Sequence, residues 1–190
     1  MKDKDTNNLE LLTEEIVNNK NRTIFNALLN AFNNKKPVLI DSESSAGMGK
    51  PDIIRDFGYN IAAENIRKPV LWETLKKEQK RHILRNAEKY FVIVDAHITQ
   101  MELPDVTGLA YAFNDKDYLE YKVPQWSHLC ITENAMGLIS VDELDRGSEQ
   151  MLNSILRVVT ASPSKMVLIA VGNPNNITPT LLNRFEIIKF

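Results

Sequence analysis

The sequence has few of the features that form disulfides, insert into a membrane or give a chain a large net charge. It has one cysteine, Cys130, among 190 residues, which excludes an internal disulfide and fits a reducing compartment. No apolar run approaches the ~18 residues of a membrane-spanning helix, and the N-terminus lacks the apolar stretch of a signal peptide. The formal net charge of −2 gives no basic excess to attract nucleic acid. These absences predict a cytoplasmic protein that binds neither membranes nor nucleic acid.

What is present is the composition of an ordinary globular domain. Hydrophobic residues make up 43% of the chain and charged residues 25%. A chain of this length is sufficient for one domain with a substantial core. Apolar stripes at helical spacing predict helices at 8–20 and 22–34. We therefore predict a helical lead over residues 1–34 and a core domain over residues 35–190.

Short apolar runs predict the strands of that core domain. Four of the runs are almost continuously apolar, as in a parallel sheet that is covered on both faces. Helical segments at about 51–64, 73–89 and 148–160 separate most of the runs. Residues 102–135 are less regular and predict long loops or a hairpin. The pattern indicates an α/β fold with five strands, at 37–41, 90–94, 137–142, 166–171 and 185–190.

A loop of small residues between the first strand and the next helix predicts a phosphate site of the Walker A type. Gly47 and Gly49 allow close approach of a ligand to the backbone, and N–H groups at a helix N-terminus favour phosphate. Lys50 would reach the β- and γ-phosphates as a point charge. The alternative is a flexible turn before a helix. The predicted cofactor-binding residues are Ser45, Ala46, Gly47, Met48, Gly49, Lys50 and Pro51.

Two positions depart from the phosphate-loop pattern G-x-x-x-x-G-K-[ST]. Ser44 stands at the first glycine, and Pro51 stands at the final hydroxyl residue. Proline has neither a hydroxyl to hold Mg²⁺ nor an N–H to donate to phosphate, and it disfavours the α conformation at Lys50. Pro51 therefore predicts weakened binding of magnesium and nucleotide.

The third and fourth apolar runs each end in polar side chains. An apolar strand that delivers Asp-Glu to its carboxyl end is the Walker B arrangement. In it, Asp142 would hold Mg²⁺ and Glu143 would polarise the attacking water as general base. The alternative is a solvated acidic loop after a strand. Asn173 follows the fourth run and can orient the same water between the strand ends.

These segments, in this order, resemble AAA+ ATPases of the MoxR-like and dynein-related branch. The resemblance spans about residues 22–190 and is carried by Pro37–Asp52, Gly137–Arg146, Val167–Pro174 and Leu181–Phe185, with further matches at Asp95–Gly108 and Val123–Trp126. It implies a P-loop NTPase three-layer sandwich with a five-stranded parallel sheet. The small helical lid that follows the fifth strand in this family is expected to be absent from residues 35–190.

The resemblance also implies an activity and its partners. ATP and Mg²⁺ would be the cofactors, Glu143, Asn173 and Arg184 the catalytic residues, and Asp142 the metal ligand. The protein would form a ring, such as a hexamer, and remodel a protein partner. In this family the arginine before the fifth strand acts in trans on the γ-phosphate of a neighbouring subunit. The alternative for Arg184 is a structural ion pair.

Two further hypotheses stay open beside ATP hydrolysis. Because of Pro51, the chain would be a nucleotide-binding scaffold with impaired or no hydrolysis. In the third hypothesis it is an interaction domain that binds no nucleotide. Other residues are assigned structural roles. Trp72 and Trp126 are interpreted as core or loop anchors, and His97 as an ordinary packed or surface residue. His128 and Cys130 do not have metal-ligand spacing.

Overall fold

A computed structural model of the chain describes residues 22–43, 50–112 and 119–189. The helix predicted at 8–20 and loop residues 44–49 lie outside the described residues. The helices are α1 at 22–33, α2 Lys50–Glu64, α3 Lys77–Arg85, α4 Leu103–Thr107, α5 Ser127–Ile131, α6 Glu149–Thr160 and α7 Pro179–Leu182. The strands are β1 Val38–Asp41, β2 Lys68–Leu71, β3 Tyr90–His97, β4 Leu109–Ala112, β5 Leu119–Lys122, β6 Met136–Asp142, β7 Lys165–Gly172 and β8 Glu186–Ile188.

Six of the described strands form one parallel sheet in the order β2-β3-β6-β7-β1-β8. The prediction of an α/β fold with a parallel sheet is confirmed, but the prediction of five strands is wrong. The additional strand, β2, has four residues of sequence KPVL and only partial burial. Pro69 has no backbone N–H to donate to a neighbouring strand, so β2 is restricted to an edge of the sheet. Strands β4 and β5 pair separately as an antiparallel hairpin.

Alternating side chains along the strands separate two cores, one on each face of the sheet. The first core joins α1 and α2 to one face through residues such as Leu28, Phe57 and Ile93. The second core joins α3 to α7 to the other face, with Val92 and Leu156 among its buried members. Because both faces are covered, the strands are buried and almost continuously apolar. The architecture is therefore a three-layer α/β/α sandwich.

Local signals in the sequence set the helix boundaries. Ser148 precedes α6, and its hydroxyl accepts the N–H of Met151 at 3.3 Å, a cap worth about 1 kcal/mol. The helix predicted at 73–89 is shorter than expected. It begins after Lys76, whose N–H donates to the Gln79 side chain at 2.8 Å. It ends at Arg85, before Asn86, whose side-chain amide donates to the His82 carbonyl. Short 3₁₀ turns replace the rest.

No helix in the described parts of the chain is both long and apolar enough to cross a membrane. The longest helix whose bounds are given, α2, has 15 residues and ends in a turn where Ile66 has a φ of +53°.

The thiol of Cys130 is fully enclosed in the second core. Burial raises the pKa of this thiol to about 12 from the ordinary value of 9.0, with a smaller opposing effect of the Lys35 charge. The thiolate is the reactive form. At pH 8 the native thiol is therefore expected to react with a disulfide reagent about a thousandfold more slowly than the thiol of the urea-unfolded chain. Because Cys130 is the single cysteine, the absorbance of the released reagent reports it alone.

The same shift in pKa sets the pH dependence. Above about pH 9 the unfolded chain loses the thiol proton while the native chain keeps it, so this contribution to stability falls as pH rises from 9 towards 12. Similar reaction rates for the native and unfolded chains at pH 8 would contradict the enclosed position.

Candidate functional site

The sheet order places a crevice between the carboxyl ends of β1 and β7. These strands are neighbours, but the chain leaves them towards opposite faces. After β1 it continues into α2, which packs in the first core. After β7 it continues into α7, whose Leu181 lies in the second core. Ligands of open α/β sheets bind at such a switch point, outside the carboxyl ends of the strands.

The end of β1 is held firmly at this crevice. Asp41 is buried and pairs in register with Gly172 of β7. The N–H of Ser42 donates to the Gly172 carbonyl at 2.9 Å, and the N–H of Glu43 donates to Asp41 Oδ1 at 3.0 Å. The loop predicted to bind phosphate follows directly.

Five of the seven predicted cofactor-binding residues, at 45–49, lie outside the described residues. Lys50 is the first residue of α2 and Pro51 is the second. Proline is tolerated there because the first N–H groups of a helix have no intrahelical acceptor. Lys50 thus begins α2 although the following proline disfavours the α conformation there, and position 51 offers no hydroxyl.

The acidic pair follows β6, two strands away from β1. Asp142 is the last residue of β6 and lies opposite His97 of β3 in register. Glu143 adopts a left-handed conformation with a φ of +54°, and its N–H donates to Asp142 Oδ1 at 2.9 Å. A non-glycine residue in this conformation costs of order 1 kcal/mol and is typical of functional sites.

Both carboxylate oxygens of Glu143 have partners. The Thr99 hydroxyl donates to Oε2 at 3.2 Å, and Arg146 Nη1 lies 3.1 Å from Oε1. Thr99 follows β3, whose carboxyl end is adjacent to that of β6. A water bound by Glu143 must therefore share or displace one of these contacts.

Asn173 is fixed at the end of β7 by two hydrogen bonds. Its Nδ2 donates to Glu43 Oε1 at 2.6 Å, and its Oδ1 accepts the N–H of Asn175 at 2.9 Å. One amide N–H is left for a ligand. The contact with Glu43 joins the β7 end to the β1 end across the crevice.

The loops after β6 and β7 are also joined to each other. Asn176 Nδ2 donates to Asp145 Oδ2 at 3.1 Å. A Cβ atom at Gly172 would lie 2.8 Å from Asp145 Oδ1 and 3.1 Å from the Asp145 backbone nitrogen, so the two loops approach each other closely here. The predicted residues Asp142, Glu143 and Asn173 are thus held at one edge of the sheet by a connected set of contacts.

Arg184 does not join this group. It precedes β8 and so lies towards the edge where the parallel strands begin. Its Nη1 donates to Asn153 Oδ1 at 3.3 Å. Among the described residues it forms no salt bridge, so the alternative of a structural ion pair is not observed there. Arg184 is exposed and precedes the start of β8, whereas Asp142, Glu143 and Asn173 lie where their strands end.

Several residues at the site were not predicted from the sequence. Thr99 and Glu43 belong to no motif in the sequence, and the pairing of Arg146 with Glu143 was not predicted. His97, predicted as a packed or surface residue, is half exposed, and its Nδ1 lies 3.9 Å from Asp142 Oδ2. Only the register of β3 against β6 brings it there.

The donor set fits a magnesium ion that takes most of its ligands from phosphate and water. Within the described ranges, no three histidine, cysteine, aspartate or glutamate side chains are clustered to hold a metal. Mg²⁺ is commonly bound through one or two carboxylates together with substrate phosphates. Asp142 supplies such a carboxylate, although no hydroxyl is present at position 51.

Comparisons with models of known protein families and with curated proteins find no match to this chain. The fold and the geometry of the strand ends are therefore the features that indicate a function.

Proposed function

We propose that this chain is the nucleotide-binding core of an AAA+ ATPase, with ATP and Mg²⁺ bound at the crevice beside β1. The observation that carries the proposal is the meeting of Asp142, Glu143 and Asn173 at the edge of the sheet where β1 ends, directly before the glycine-containing segment of the sequence. Three strands that are adjacent in the order β6-β7-β1 supply these groups. A general base, an amide and a carboxylate at one edge suit metal-assisted phosphoryl transfer to water.

Each residue has a role in the proposed reaction. Lys50 and the loop would bind the phosphates, and Asp142 would hold Mg²⁺, which would supply positive charge to neutralise the phosphate oxygens. Glu143 accepts the proton of a water whose oxygen attacks the γ-phosphorus, while the bond to the bridging oxygen breaks to leave ADP. Asn173 positions that water through its remaining N–H. Arg184 would serve the site of a neighbouring subunit, so the active form is a ring that remodels a protein partner.

Two observations favour the alternative of a nucleotide-binding scaffold with impaired or no hydrolysis. Pro51 removes the hydroxyl that binds Mg²⁺ in phosphate loops. In addition, Thr99 and Arg146 occupy both oxygens of Glu143.

The two functions are separated by titrating ATP with and without Mg²⁺ and then measuring phosphate release. Binding of ATP by the wild-type chain and its loss in Lys50→Ala would support both. Turnover would support the ATPase, and magnesium-independent binding without turnover would support the scaffold.

Replacement of Pro51 by serine is expected to raise the magnesium-dependent affinity for ATP about tenfold, because serine supplies both a ligand hydroxyl and an N–H. Isothermal titration with ATP, with and without Mg²⁺, measures the change. Pro51→Ala is the matched control, since it restores the N–H but not the hydroxyl and should leave the magnesium dependence unchanged. Equal affinities of all three chains would contradict the role assigned to position 51.

A further inference from the structure

A groove outside the proposed nucleotide site runs along the second face of the sheet. Its upper part is a cleft of about 640 Å³ at the carboxyl end of β3, between the 3₁₀ turn Trp72–Thr74 and α4. Its lower part, about 430 Å³, shares Asp105 and Trp126 with the upper part and continues to the base of the β4–β5 hairpin. Together they form one continuous groove. Both tryptophans of the sequence, Trp72 and Trp126, line it.

Aromatic rings form two walls of the upper cleft. The Trp126 indole N–H donates to the Asp105 carbonyl at 3.1 Å, which fixes the orientation of that ring. Lys80 Nζ lies 5.2 Å from the ring centroid of Trp72. This cation–π contact places a positive charge of the chain itself over the Trp72 ring. The prediction of both tryptophans as core or loop anchors is confirmed, since Trp72 is buried in the second core and Trp126 packs against that core. The half-buried Trp126 ring is therefore the aromatic surface that the groove offers to a ligand.

The charges of the cleft are mainly negative. Glu73, Asp95 and Asp105 line it, against one lysine, Lys80. Asp95 also lies 3.6 Å from Arg55 of α2, so Glu73 and Asp105 carry the excess. Partial burial raises the pKa of the Glu73 carboxyl, and this is opposed by hydrogen bonds from the backbone N–H groups of Asp95 and of Glu73 itself and by the Lys80 charge. A cation entering the cleft would stabilise the ionised carboxylate.

The lower part of the groove borders apolar side chains that face solvent. Leu109, at the start of β4, is 62% exposed, and Val123, after β5, is 42% exposed. Leu109 lines this part together with Pro104 and Pro124. Lys122, which is exposed, also lines this part. The groove thus combines an end where carboxylates outnumber the single lysine with an end where apolar side chains adjoin Lys122.

We propose that this groove docks a basic, extended segment of a partner protein. An arginine of that segment enters the cleft towards Glu73 and Asp105, and an apolar residue packs against Leu109 and Pro124. Arginine fits because its guanidinium both pairs with carboxylates and stacks on indole rings. The proposal rests on the proposed function in one respect only, that a remodelling ATPase acts on such a partner.

Tryptophan fluorescence tests the proposal directly, because both tryptophans line the groove. The probe is the peptide acetyl-Leu-Ala-Arg-Ala-Arg-amide, titrated into the full chain without nucleotide. The matched peptide carries citrulline, a neutral isostere, in place of both arginines. We expect a saturable change in emission with the arginine peptide and an affinity at least tenfold weaker with the citrulline peptide. Raising NaCl should also weaken binding, because salt screens exposed charges.

Substitutions in the groove locate the binding. Glu73→Gln and Asp105→Asn should each weaken the arginine peptide about tenfold. Both side chains are exposed, and asparagine keeps the oxygen that accepts the Glu102 N–H at the start of α4, so the fold should be retained. Glu133→Gln is the control, since Glu133 is an exposed carboxylate in the turn before β6, at the opposite edge of the sheet.

The remaining outcomes overturn the proposal. Equal binding of the two peptides, or equal effects of Glu133→Gln and Glu73→Gln, would exclude recognition of arginine by the groove. Self-association that Glu73→Gln abolishes, without peptide binding, would make a second copy of the chain the occupant. Because no nucleotide is present, failure of ATP binding leaves this test intact, and failure of peptide binding leaves the proposed ATPase intact.

Discussion

Replacement of Glu143 by glutamine is expected to lower the rate of ATP hydrolysis by about 10²–10⁴-fold, the usual contribution of a general base. Glutamine has the same shape and keeps an oxygen that can accept the Thr99 hydroxyl, but it cannot take the proton of the attacking water. ATP affinity should change little, because Glu143 is not assigned a contact with the phosphates. Phosphate release at saturating ATP and Mg²⁺, together with a binding titration, measures both quantities.

The left-handed backbone at Glu143 allows a second, sharper variant. Glycine adopts a φ of +54° without strain. Glu143→Gly should therefore be at least as stable as the wild type and should hydrolyse ATP as slowly as Glu143→Gln. Glu149→Gln is the control, since Glu149 is an exposed carboxylate in the first turn of α6. A glutamine variant with wild-type turnover would rule out the proposed base. A wild-type chain that binds ATP without hydrolysing it would favour the scaffold.

The five predicted strands all exist. The fifth, β8, is only partly buried, whereas the other four are covered on both faces of the sheet, and this burial corresponds to an almost unbroken apolar run in the sequence. β3, for example, has four fully buried residues, from Phe91 to Val94. The sixth strand left no such signal. β2 lies at the edge of the sheet, its four residues include a lysine and a proline, and none is fully buried. What identifies it as a strand is its pairing with β3, which is a property of the folded chain.

The residues of the candidate site likewise divide into those that the sequence predicts and those that it does not. Asp142, Glu143 and Asn173 were predictable because each directly follows an apolar run, and parallel strands bring their carboxyl ends to one edge. Thr99, Glu43 and the pairing of Arg146 with Glu143 were not. Their roles depend on which strands are neighbours and on the turn that follows each strand. Glu43 meets Asn173 across 130 positions of sequence, and no local pattern encodes that distance.

Replacement of Gly137 by alanine is expected to destabilise the protein by about 4 kcal/mol or to prevent folding. Gly137 lies in β6, opposite Val92 of β3. A Cβ atom there would lie 1.9 Å from the Val92 carbonyl oxygen and 2.8 Å from its carbonyl carbon. The obstacle is backbone in the middle of the sheet, so relief requires the two strands to separate. Urea unfolding followed by circular dichroism measures the loss.

Gly58→Ala is the matched control for this prediction. A Cβ atom at Gly58 would lie 2.7 Å from Ile93 Cδ1, the end of a flexible side chain. Gly58 also lies within α2, where alanine is favoured over glycine by about 1 kcal/mol. We therefore expect a change of less than about 1.5 kcal/mol. Equal destabilisation by the two substitutions would contradict the backbone argument.

The close approach at Gly137 also bears on the chemistry, because it sets how β3 and β6 lie against each other. Five positions further along the same pairing, Asp142 lies opposite His97, and the turn that follows β3 brings Thr99 to Glu143. In a Gly137→Ala chain that folds, the ATP turnover per folded molecule should therefore be lower than in the wild type. Turnover that follows the folded fraction would show that the Thr99 contact tolerates displacement of β3.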